Sequence, residues 1–113
     1  MIVAFSVAPA SADPDEGMSA AVAEAVRVVR ESGLPNETNS MFTLVEGEWD
    51  EVMDVVKRAT EAVSSVAPRT SLVLKADIRQ PGADGKPRSG EITGKTKRLA
   101  TQLAMLDAET AEA

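Results

Sequence analysis

Met41-Phe42-Thr43-Leu44-Val45-Glu46-Gly47-Glu48-Trp49-Asp50-Glu51-Val52-Met53 decides the fold. Its first six residues are β-prone, and Gly47 marks a tight turn. Beyond the turn Trp49, Val52, Met53, Val56, Ala59 and Val63 recur with helical spacing. Glu48, Asp50 and Glu51 fall in the first turn, where the helix dipole favours negative charge. A strand therefore feeds a helix through a glycine, and Pro68 stops that helix.

The same pattern lies on both sides. Ile2 to Ala8 is an apolar, β-prone run ended by Pro9, and residues 9 to 18 form a Pro- and Asp-rich loop. Ser19 suits a helix cap, with Val22, Val26 and Val29 as an apolar stripe and Gly33 at the helix end. Pro35 to Ser40 reads as a short edge strand, and Thr70 to Arg79 alternates as a last strand. The order β, α, β, β, α, β is that of an α+β, ferredoxin-like βαββαβ sandwich. Both helices then cover one sheet face, and a domain this small finds a partner for the open one.

The chain divides into a ferredoxin-like domain, residues 1–80, and an extension, residues 81–113. The extension opens as a Pro/Gly linker and continues as an amphipathic C-terminal helix, with Ile92, Leu99, Leu103 and Leu106 on one stripe. Disorder is expected from Ala108. Charge is divided as well. Residues 1–79 hold 7 basic and 13 acidic residues, which equals the whole net charge of −6, while residues 80–98 carry a local +3. A basic arm and helix are expected to lie on an acidic core, that of the same chain or of a neighbour.

Composition excludes much chemistry. The 113 residues contain no Cys and no His, so thiolate nucleophiles, disulfides, Cys- or His-based metal sites and the commonest general base are absent. No metal ligand set is expected. The acidic balance disfavours nucleic acid, which calls for a surplus of Lys and Arg. Ala8 to Ala12 imitates a cleavage site, but no basic residue precedes Arg27 and no apolar run approaches a membrane span. A soluble, cytoplasmic protein is the expectation. An acylphosphatase-like hydrolase would place a basic, anion-cradling loop after the first strand. The loop here carries Asp13, Asp15 and Glu16 instead, and would repel phosphate.

Alternation assigns the strand faces. Val3, Phe5 and Val7 face the helices, as do Leu72, Leu74, Ala76 and Ile78. On the third strand Phe42 and Leu44 are assigned inward, with Met41, Thr43 and Val45 on the open face. Ser6, Thr43 and the row Lys75, Asp77 and Arg79 would then share one polar-lined surface. The charged row suits a solvated edge strand equally well, since edge charges discourage aggregation. Ser6 and Thr43 also suit an assembly contact. Trp49 reads as a core anchor in preference to a ligand-stacking ring.

Three segments together resemble a known family: Ser6-Val7-Ala8-Pro9, Met41 through Val52, and Lys75-Ala76-Asp77-Ile78-Arg79. Their order and spacing over about residues 1–80 resemble the small thiamine-binding-protein family. Phe42 stands where that family commonly has Gly. The resemblance implies a ferredoxin-like fold, no catalysis and no cofactor, and a homotetramer, a dimer of dimers, with ligand pockets near subunit contacts. The implied ligand is thiamine, a small cation, or its hydroxymethylpyrimidine moiety. Ser6, Asn39, Met41, Thr43, Glu46, Lys75 and Asp77 are the expected ligand-binding residues, a carboxylate balancing the thiazolium charge. The alternative is an oligomeric scaffold without a small-molecule ligand.

Overall fold

The computed structural model describes residues 1–10, 18–86 and 88–112. Strands β1 (Ile2–Pro9), β2 (Asn36–Thr38), β3 (Thr43–Glu46) and β4 (Thr70–Asp77) form one antiparallel sheet in the order β2-β3-β1-β4. Helix α1 (Met18–Glu31) links β1 to β2, and α2 (Trp49–Ser64) links β3 to β4. Each connection skips one strand, which makes the expected α+β sandwich. Helix α3 (Glu91–Glu112) follows. It runs past Ala108, where the sequence reading expects disorder; Ala108, Glu109 and Ala111 are strong helix formers. The expected β1–α1 loop lies mostly outside the described residues.

The core is built of small and β-branched side chains. Val3, Val45, Val29, Val52, Val56 and Val63 are the largest fully buried ones, each contributing roughly 2 kcal/mol by leaving water. On α1 the buried positions are Ala21, Ala25 and Val29, whereas Val22 is 37% exposed. The apolar stripe expected on Val22, Val26 and Val29 is thus turned by one residue, because small alanines let α1 pack closely on α2. The glycine expected at the end of α1 is required there: Gly33 has φ +80°. Glu48 caps α2, its backbone N–H donating to the Glu51 carboxylate at 3.2 Å. Trp49 is 56% exposed and anchors no core, since it occupies the outer side of the first turn of α2.

Strand pairing corrects one face assignment. Val3 pairs with Val45 and Phe5 with Thr43. Cross-strand partners share a face, so Thr43 and Val45 stand with Val3 and Phe5 under the helices. Leu44, paired with Ala4, is on the open face. Phe42 and Met41 precede the strand altogether. On β4 the expected faces hold, with Ala76, Leu74 and Leu72 opposite Val3, Phe5 and Val7. Even so, Leu72 and Leu74 stay 42% and 36% exposed, because β4 is an edge strand that the helices only partly cover. The strand ends at Asp77, before Ile78 and Arg79.

Candidate functional site

The seven expected ligand-binding residues separate into two groups, and β3 marks the division. Ser6, Asn39, Met41 and Thr43 surround a cavity of about 230 Å³ between the second half of β1, helix α1 and the turn joining β2 to β3. Glu46, Lys75 and Asp77 lie toward the beginning of β1, against the start of α3.

Asn39 builds the turn over the cavity. Its Oδ1 accepts from the backbone N–H groups of Met41 and Phe42, both at 2.9 Å, and its own N–H donates to the Phe42 carbonyl at 3.0 Å. The amide NH2 is left as that side chain's donor. Thr38, Ser40 and the buried Thr43 add hydroxyls, while Phe5, Phe42, Val22 and Val26 add apolar walls. Met41 is 72% exposed and contributes to the rim. No charged side chain lines this cavity among the described residues. Neutral hydrogen-bonding groups facing apolar rings suit a flat, polar heterocycle better than an ion.

The carboxylates at the other end are committed. Glu46, only 3% exposed, accepts the backbone N–H of Glu91 on both oxygens at 3.1 and 3.0 Å, and so caps α3. Asp77 receives Lys95 Nζ at 2.5 Å and lies 3.6 Å from Arg79 Nε. The Lys95 hydrogen bond, with the nearby Lys95 and Arg79 charges, holds the Asp77 carboxyl below its ordinary range against some burial. Glu91 is held low chiefly by the 2.6 Å bond from Arg98. Beside this clasp a groove of about 250 Å³ is floored by Ile2, Ala4, Leu44 and Ile92, with Lys75 on its edge. The single polar surface expected for Ser6, Thr43, Lys75, Asp77 and Arg79 is therefore not formed: Thr43 is on the opposite sheet face, and Asp77 is engaged by α3. Lys95, outside the expected set, joins Glu46 in holding α3 to the body, and Arg98, also outside it, braces Glu91 within the helix. Their sequence signal was the local basic charge.

A model of the family described as "Thiamine-binding protein" matches residues 3–99, which extends the likeness from about residue 80 into α3. The UPF0045 protein Mb1933 of Mycobacterium bovis is 57% identical over 83 residues, 73% of this chain and 78% of that protein. The hypothetical protein MJ1052 of Methanocaldococcus jannascii superposes with a TM-score of 0.72 at 28% identity, covering 88% and 94% of the two chains. A protein of Thermotoga maritima described as a putative thiamine biosynthesis/salvage protein (TM0486) gives 0.65 at 27% identity, covering 85% and 96%. With most of its length matched, from the first strand into the third helix, the chain belongs to the thiamine-binding protein family.

Proposed function

We propose that the chain binds thiamine through its aminopyrimidine moiety, or the free hydroxymethylpyrimidine, without chemical conversion and as a homo-oligomer. The observation that carries this reading is the neutral cavity. Asn39, Thr38, Ser40 and Thr43 offer donors and acceptors beside Phe5, Phe42 and Met41. The family and the Thermotoga maritima relative support a thiamine-related ligand. Glu46 and Asp77 already bind groups of their own chain, so the thiazolium half gains no counter-charge from them. Recognition by the pyrimidine half follows. The partly covered β4 and the open sheet face favour assembly, a tetramer being the state that the family resemblance implies.

Calorimetry with hydroxymethylpyrimidine, thiamine and the free thiazole alcohol tests this. The first two should bind and the third should not. Asn39→Ala or Thr43→Val should weaken binding about 3- to 10-fold, the worth of one hydrogen bond. Asp77→Ala should leave affinity unchanged. Absence of heat with all three compounds would favour the ligand-free scaffold, for which the exposed Leu72, Val73 and Leu74 already argue.

A further inference from the structure

Helix α3 has 22 residues, but its hold on the body is confined to its beginning. Glu46 caps it, Asp77 takes Lys95, and Ile92 reaches the open sheet face. From Lys95 to Ala111 every residue is exposed. Leu99, Leu103 and Leu106 are 59%, 52% and 57% exposed. A helical stretch of this length without packing is marginal in water, so its apolar stripe calls for a cover.

The stripe has a specific spacing. Ile92, Thr96, Leu99, Leu103 and Leu106 follow at steps of four, three, four and three, the seam of a two-helix coiled coil. Thr96 and Leu103 then occupy a positions, and Ile92, Leu99 and Leu106 occupy d positions. Lys95 and Glu109 fall at g, and Asp107 at e. In an antiparallel pair, where a layers meet d layers, Leu99 packs on Leu103 of the second copy and Thr96 on Leu106. The same register sets Lys95 beside Glu109, twice by symmetry, and the ammonium that gives one donor to Asp77 keeps others for this partner. A parallel pair sets Lys95 beside Ala100 and Asp107 beside Gln102, with no charge match. From this complementarity we infer that the free part of α3 is a self-association surface whose occupant is α3 of a second copy, running antiparallel. The contacts at Glu46 and Asp77 fix the direction in which the helix leaves the body, and so present the seam already ordered. This surface is separate from the cavity, and its test reads mass and geometry instead of ligand.

Two experiments on the full chain decide it. In light scattering the wild-type chain should self-associate, and Leu103→Glu should lower the mass, weakening association by at least about a hundredfold as two leucines per pair leave the seam. Leu103 is half exposed and outside the core, so circular dichroism should show the body still folded. Because the chain has no Cys, single thiols report orientation. A mixture of Thr96→Cys and Leu106→Cys chains should cross-link on oxidation, and neither variant alone should. A monomeric wild type, a Leu103→Glu chain of unchanged mass, cross-linking by either single variant alone, or none in the mixture would each overturn the inference. The last result would assign the stripe to another face, such as β4 of a neighbour.

Discussion

Glu46→Ala isolates the contact that places α3. The Glu46 carboxylate is almost completely buried, and both of its oxygens lie near 3 Å from one backbone N–H at the N-terminus of the helix. A charge-assisted hydrogen bond contributes about 1.5–3 kcal/mol. The helix dipole is not an additional gain here, since the unsatisfied N–H groups are its source. Removing the side chain should therefore weaken docking of the first turn of α3 by about 2–3 kcal/mol. Glu46→Gln keeps an acceptor but loses the charge, and should cost about 1 kcal/mol. The loss is local, because the core that β1 and β3 form with α1 and α2 does not include this carboxylate. Native-state hydrogen exchange measures it directly. Protection at Glu91 and residues 94–97 should fall by roughly 30- to 150-fold in Glu46→Ala, while Val3 and Val45 amides change little. Unchanged protection at those amides would refute the reasoning. An equal loss throughout β1 and β3 would refute it too, by showing that Glu46 supports the whole sheet.

Acid should release the same helix: Asp77 and Glu91 are held below their ordinary values of 3.8 and 4.5, so their stabilisation is present above those values and lost as pH falls through the lowered ones. Exchange protection in the first turn of α3 should hold at neutral pH and fall only as the pH drops below these ordinary carboxylate values; loss between pH 5 and 7 would contradict the assignment. In urea unfolding, Val52→Ala, at a fully buried position, should cost about 2 kcal/mol. Trp49→Ala, at an exposed one, should stay within about 0.5 kcal/mol, and the reverse order would overturn the burial pattern. Phe42→Gly should widen the cavity and raise thiamine affinity relative to hydroxymethylpyrimidine; an unchanged ratio would show that Phe42 does not limit the site.

The parts of the site differed in how readable they were. Asn39 is readable as a turn residue because turn chemistry is local, whereas Ser6 is an ordinary position within β1. Thr43 lines the cavity, but from the sheet face opposite to the one its sequence suggests. The run Phe42-Thr43-Leu44-Val45 offers an apolar residue to either side, so its alternation carries no phase. Only pairing with β1 supplies one. Glu46 and Asp77 do carry the negative charge that marks them in the sequence, but Glu91 and Lys95 use it first, from positions 45 and 18 residues away. Composition cannot reveal such long-range satisfaction.

Short-range patterns in the sequence set the periods: alternation in β1 and β4, the 3.6-residue repeat of α2, the glycine that ends α1 and the apolar stripe of α3. Each arises from interactions among residues a few positions apart. The phases and the partners came from long-range packing. The register of β1 against β3 buried Thr43 and turned Leu44 outward. Packing of α1 on α2 brought Ala21 and Ala25 inward and left Val22 and Val26 to line the cavity. Docking of α3 engaged the carboxylates expected to meet a cation. A burial pattern is a contest among surfaces, and its outcome depends on what the rest of the chain brings opposite each residue.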